Sequence, residues 1–164
     1  MIIEITKNMI NIDIIQVGKT KEKYIENSVQ EYIKRLKPFA RIKIITLKEL
    51  SPSKSKPASQ TIKQEGQKIL KTIKENSFII TLDEGGNECT SKEFSKKISQ
   101  ITQNNKHITF IIGGAFGLDK EVKSKASLIL SLSKMTFTHQ MIRPFLLEQI
   151  YRAYTIIAGK AYHN

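Results

Sequence analysis

Short runs of apolar, mostly β-branched residues recur along the chain and are separated by stretches with helical periodicity. Residues 10–17 (INIDIIQV), 42–47 (IKIITL), 78–82 (FIITL), 108–112 (ITFII) and 128–132 (LILSL) have the length of strands. They are nearly continuous rather than alternating, as strands buried on both faces of a parallel sheet are. Between them, residues 21–36 place Tyr24, Ile25, Val29, Ile33 and Leu36 on one stripe, and residues 58–73 do the same with Ile62, Ile69, Leu70 and Ile73. Thr90 with Glu93 three residues on predicts a capped third helix. A last helix is expected over 142–158, with Pro144 in its first turn, where the missing N–H is harmless. Strands alternating with helices predict an α/β fold with a mostly parallel sheet and helices on both faces. Residues 49–57 (ELSPSKSKP) form the one strongly loop-like stretch, too short to divide domains. Residues 1–164 are therefore expected to be a single domain, a length that supports one sizeable core.

Several function classes fall away at once. A lone cysteine, Cys89, supports neither a disulfide framework nor a multi-cysteine zinc site. No apolar run reaches the ~18–20 residues of a membrane span, and the first residues lack the pattern of a secretory signal. No membrane partner and a cytoplasmic location are the resulting expectations. The formal net charge is +12. Of the 27 cations 23 are lysine, and isoleucine also numbers 27, a pairing that compositional drift alone produces. Even so, such a charge on a small domain attracts polyanions. Nucleic acid is the leading partner.

Ligands of open α/β sheets bind beyond the carboxyl ends of strands. Three segments occupy such ends: 83–87 (DEGGN), 113–118 (GGAFGL) and 133–139 (SKMTFTH), the first two holding five of the eight glycines. The spacing Gly113-Gly114-x-x-Gly117 is neither the dinucleotide fingerprint nor a P-loop, because no Gly-Lys-Ser/Thr follows. His107, His139 and His163 have no cysteine or paired-acid company, so no metal is expected. A Gly-x-Ser-x-Gly elbow is absent, which leaves hydrolase chemistry without a nucleophile. Only four arginines occur, and Arg143 and Arg152 both fall on the last helix. In a lysine-biased chain they offer planar forks for phosphate.

The segments FIIGGAFGL (110–118), LSLSKMTFTHQMIR (130–143), EQIYRAY (148–154) and the terminal YHN together resemble the RlmH family of SPOUT-class methyltransferases. The likeness starts at MINIDIIQVGK (9–19), which makes residues 1–8 an N-terminal extension. The resemblance implies a C-terminal trefoil knot, a homodimer and S-adenosylmethionine as methyl donor. It implies a target as well: N3 of a pseudouridine in a 23S rRNA hairpin that faces the small subunit on the assembled ribosome. Carried onto this sequence, the cofactor positions are Leu82, Gly113, Leu132, Ser133, Lys134, Met135, Thr136 and Phe137. Arg143, Arg152, Tyr162 and His163 are the candidates for positioning substrate, with the Tyr-His pair completing the partner subunit's site. A non-catalytic RNA-binding or ribosome-associated factor on the same fold is the alternative.

Overall fold

The computed structural model describes residues 9–51, 53 and 57–163, the side chain of His163 excepted. The expected extension, residues 1–8, lies outside the described residues. Among these, the strands β1 (Ile10–Val17), β2 (Ala40–Leu47), β3 (Phe78–Asn87), β4 (His107–Ile112) and β5 (Leu128–Leu130) form one sheet in the order β2-β1-β4-β3-β5. Every pairing is parallel. The helices are α1 (Lys23–Leu36), α2 (Ala58–Thr72), α3 (Ser91–Asn104), α4 (Lys120–Lys125) and α5 (Ile142–Ile157), followed by a 3-10 turn at Ala161–His163. The expected α/β architecture with helices on both faces is what forms.

Right-handed crossovers decide which face each helix takes. The steps β1→β2 and β3→β4 run the same way along the sheet, and α1 and α3 lie on one face. The steps β2→β3 and β4→β5 run the other way, and α2 and α4 lie opposite. One core therefore joins Ile12, Ile14, Ile108 and Phe110 to Ile25, Ile98 and Leu147 beneath α1, α3 and α5. The other joins Ile15, Val17 and Ile111 to Ile69 and Val122 beneath α2 and α4. The capping box at Thr90 is present in both directions, with the Glu93 amide donating to Thr90 Oγ1 at 3.2 Å and the Thr90 amide to Glu93 Oε2 at 2.7 Å.

Some boundaries differ from expectation. β2 begins at Ala40, because Ala40 and Arg41 continue the register opposite Ile10 and Asn11. β5 stops at Leu130. β3 runs on through the segment expected to be a loop, shifting register between Leu82 and Asn87 so that Asn87 faces Leu130. Gly86 permits that shift: a Cβ there would meet the Ile129 carbonyl oxygen at 2.8 Å. Tyr24, expected on the buried stripe of α1, is 62% exposed.

After β5 the chain crosses the carboxyl ends of the strands. Ser131 donates its amide to Asn87 at the end of β3, and the Lys21 amide beyond β1 donates to Gln140 Oε1 at 2.8 Å. This crossing, residues 131–141, delivers α5 to the core beside α1 and α3.

The α2–α4 contact is tight enough to test. Gly66 is buried within α2, and a Cβ on it would lie 2.6 Å from the Asp119 Cβ at the N-cap of α4. Glycine to alanine in a helix ordinarily stabilises by about 1 kcal/mol. Here Gly66→Ala should instead destabilise, by about 1–3 kcal/mol, in urea denaturation.

Candidate active site

Leu82–Glu84 of β3, the loop after β4 and the crossing segment enclose a cleft of ≈ 870 Å³. Its lining includes Leu82, Gly113, Leu132, Ser133, Met135, Thr136 and Phe137, seven of the eight expected cofactor positions. Lys134 is the exception: its side chain is 87% exposed and points to Glu88 at 3.7 Å. Leu82 and Leu132 are half-buried, whereas Met135 stands 76% exposed at the rim. Sequence reasoning missed Lys123 and His139, which also line the cleft. Lys123 belongs to α4, a helix capped by Asp119 whose six residues bury a single apolar side chain, Val122, too few to give a periodic signal.

The crossing segment is pinned by its own polar groups. Thr136 Oγ1 donates to Glu84 Oε2 at 2.7 Å, Ser133 Oγ accepts the Met135 amide at 2.9 Å, and Thr138 Oγ1 accepts the Met141 amide at 3.2 Å. Across the cleft, Gly113 packs against its own loop. A Cβ on it would lie 2.8 Å from the carbonyl carbon and oxygen of Gly117, so glycine is required there by the turn itself rather than by space for a ligand. At the mouth, Asp83 is ion-paired to Lys123 and accepts the Gly85 amide at 3.0 Å. Burial opposes ionisation of Asp83, but these two bonds outweigh it and hold the carboxyl below its ordinary range.

Arg143, expected to offer its fork to substrate, is turned into the fold. It is 2% exposed, and its guanidinium donates to the carbonyls of Val17 and Gly18 at 2.8 and 2.9 Å and to Thr20 Oγ1 at 2.8 Å. Its fork is spent on the end of β1. Arg152 is bonded to Glu148 Oε1 at 2.9 and 2.6 Å and lies 5.0 Å over the Tyr162 ring. Tyr162 packs edge-on against Tyr151 at 4.8 Å and hydrogen-bonds Tyr32, whose pKa is pushed up to about 12 by burial and by that bond. Arg152 and Tyr162 thus sit on the α1/α5 surface, outside the lining of the cleft. The side chain of His163 lies outside the described residues.

A family model described as "Predicted SPOUT methyltransferase" matches residues 10–163. The chain belongs to that family. Relatives called ribosomal RNA large subunit methyltransferase H include that of Halothermothrix orenii, 45% identical over 93% of this chain and 99% of the relative. That of Clostridium beijerinckii is 46% identical over 94% and 99%. Among solved structures, the probable methylase family protein of Haemophilus influenzae Rd KW20 superposes with a TM-score of 0.54 over 94% of this chain and 70% of its own, at 13% identity, a likeness of fold. The SPOUT methyltransferase family implies a methyl donor, and the strand-end cleft is where these loops converge. Among the described residues no group of three His, Cys, Asp or Glu side chains is arranged to hold a metal ion. No helix among them is long and apolar enough to cross a membrane.

Two outcomes test this SPOUT site. Arg143→Lys keeps the charge but loses the fork and leaves a β1 carbonyl unpaired. It should cost about 1–3 kcal/mol in denaturant unfolding. The second concerns His139, whose pKa is lowered by burial and by Arg143, with Glu49 acting in the opposite sense. The folded chain therefore binds fewer protons than the unfolded one just below the ordinary histidine value of about 6.5, so stability is lost as pH falls through that value. His139→Gln should flatten the Tm profile between about pH 5 and 7; an unchanged slope would remove His139 as its source.

Proposed function

We propose that this methyltransferase uses S-adenosylmethionine to methylate N3 of a pseudouridine in 23S rRNA, in the large-subunit hairpin facing the small subunit of assembled ribosomes. The observation that carries the reading is a cofactor-sized cleft at the strand ends of a chain 45–46% identical, over nearly its whole length, to relatives named for large-subunit rRNA methylation. The residues present fit the donor. The volume lies within the ~300–1,000 Å³ of small-ligand sites. Apolar walls from Leu82, Leu130, Leu132 and Ile142 suit an adenosine, and Asp83 and Glu84 at the mouth suit a cationic ligand. When bound, the donor supplies an electrophilic methyl group.

The remaining work belongs to side chains of this protein. Methyl transfer needs alignment more than a covalent nucleophile, and the bonds of Ser133, Thr136 and Thr138 fix the crossing segment beforehand. Leu82 and Leu132 exclude water from the inner cleft. The attacking nitrogen must lose its proton, and the imidazole of His139, kept neutral by burial in the lining, is suited to accept it.

The site is read as completed in a homodimer. Phe137 and Phe145, each 40% exposed and 5.0 Å apart edge-to-face, leave aromatic surface beside the cleft for a second copy to cover. Tyr162 packs outside its own chain's cleft, which supports a role for Tyr162 and His163 at the partner's. The crossing segment is the part of the chain we assign to the trefoil knot. An rRNA substrate places the enzyme in the cytoplasm.

Mass spectrometry of 23S rRNA from a deletion strain should show loss of one methyl group at a pseudouridine, restored by the gene; an unchanged rRNA mass would reject the target. Deleting residues 162–164 should leave donor affinity nearly intact and slow methylation at least tenfold, a barrier rise of about 1.4 kcal/mol. A truncated enzyme with full activity would return the tail to a packing role.

A further inference from the structure

The sheet carries a second cleft, of ≈ 880 Å³, at the end opposite the methyl-donor site. Its origin is visible in the strand register. Helices α2 and α4 cover the carboxyl-terminal part of their face, where Ile45, Ile15 and Ile111 line up across β2, β1 and β4. Two and four residues earlier, on the same face, the rows become Lys43–Asp13–Thr109 and Arg41–Asn11–His107. A face packed under helices in a parallel sheet carries aliphatic residues at such positions; here it is polar, with Asp13, Thr109 and His107 buried on the inner strands and Arg41 and Lys43 exposed on the edge strand β2.

The charge in this cleft is one-sided. Arg41 and Lys43 on β2 and Lys74 just past α2 are all exposed, and none has an ion pair or side-chain hydrogen bond among the described residues. Asp13 is the single carboxylate among the described lining residues, and it is turned to His107, 3.0 Å from Nε2. His107 is 8% exposed, and neither ring nitrogen makes a hydrogen bond, although Nε2 faces the Asp13 carboxylate. A buried ring nitrogen without a partner is a cost that a bound polar group relieves. The carboxyl end of α2 disfavours an anion through its dipole, and Lys74 stands where it offsets that end.

We infer that this cleft holds the sugar–phosphate backbone of the RNA substrate, with Arg41 as the planar fork and Lys43 and Lys74 as point charges. The inference rests on the rRNA reading above and adds where the RNA is gripped. The six residues of β4 separate the two clefts by roughly 20 Å. A stem of about six base pairs spans that distance, so one hairpin reaches both ends of the sheet.

The test compares wild-type protein, the Arg41→Gln/Lys43→Gln/Lys74→Gln variant and a Lys92→Gln/Lys96→Gln/Lys97→Gln control on α3. Binding to ribosomes and to deproteinised 23S rRNA is measured from about 50 to 200 mM salt, where phosphate contacts are salt-sensitive, with calorimetric titration of S-adenosylmethionine alongside. The cleft variant should bind both RNAs at least tenfold more weakly and lower the slope of log affinity against log salt by about 2–3, roughly 0.7–0.9 per phosphate contact. The control should change neither by as much, and donor affinity should stay at wild type in all three. Equal losses in the cleft variant and the control, or wild-type binding by the cleft variant, would overturn the inference. Loss on ribosomes alone would also overturn it, in favour of an acidic ribosomal protein. If wild-type protein binds RNA through the cleft yet methylates no rRNA from the deletion strain, the functional reading fails and the grip stands.

Discussion

A buried guanidinium at the carboxyl end of β1 holds the working end of this fold together. Removing a charge from water costs several kcal/mol unless its donors are satisfied. Arg143 meets that condition because a parallel strand ends with free carbonyls, and those of Val17 and Gly18 accept from it. Gly18, at a φ of 79°, turns the chain out of the sheet at that point. The Glu49 carboxyl crowds the place where a Cβ would be, 3.1 Å away. The ends of β1 and β2, the start of α5 and the crossing segment therefore meet around one side chain. With Ser131 tied to Asn87 at the other end, the crossing segment is a strap fastened on both sides. The shape of the cleft beneath it depends on both fastenings.

This arrangement explains what was legible in the sequence and what was not. Strand cores were legible because burial on both faces leaves an almost uninterrupted aliphatic run. Boundaries were less so, since they follow pairing: Arg41 is charged and exposed yet belongs to β2, because Asn11 lies opposite it. The glycines at 85 and 86 read as a loop, but their lack of side chains lets β3 continue past β5. The strand-end rule led to segments that line the cleft, because strands alternating with helices put their carboxyl ends on one side of a parallel sheet. Arg143 is the instructive case. A fork suited to phosphate is equally suited to two carbonyls, and only burial separates the uses. Tyr162 shows the converse: in a terminal segment its docking on Tyr151 and Tyr32 has no periodic signature.

The two ends of the sheet differ in electrostatic character. At the carboxyl end, Asp83 and Glu84 stand at the mouth of a mostly apolar cleft, each held by a bond within the chain. At the amino end, Arg41, Lys43 and Lys74, without an ion pair among the described residues, surround one carboxylate that faces His107. A net charge of +12 draws a polyanion to the protein from any direction, but an undirected field cannot deliver one base to one site. Orientation requires cations whose partners are missing at a fixed distance from the chemistry. The sheet supplies that distance, because β4 reaches both clefts, with His107 lining one and Ile112 the other.

The same logic accounts for the short loops of the donor cleft and the polar ties across them. A cleft whose walls had to order on binding would spend association energy on fixing the backbone, at about 1–2 kcal/mol per residue. Here the turn at Gly113 is closed by its own packing against Gly117, and the crossing segment is bonded at residues 133, 136 and 138. Large apolar side chains stay exposed among the polar ones: Phe116, Met135 and Phe137 line the rim at 40–76% exposure. A rim of that kind is costly in water and gains only when covered. The surfaces that would complete the site in the proposed reading are therefore to be sought at the rim rather than in rearrangement of the loops beneath.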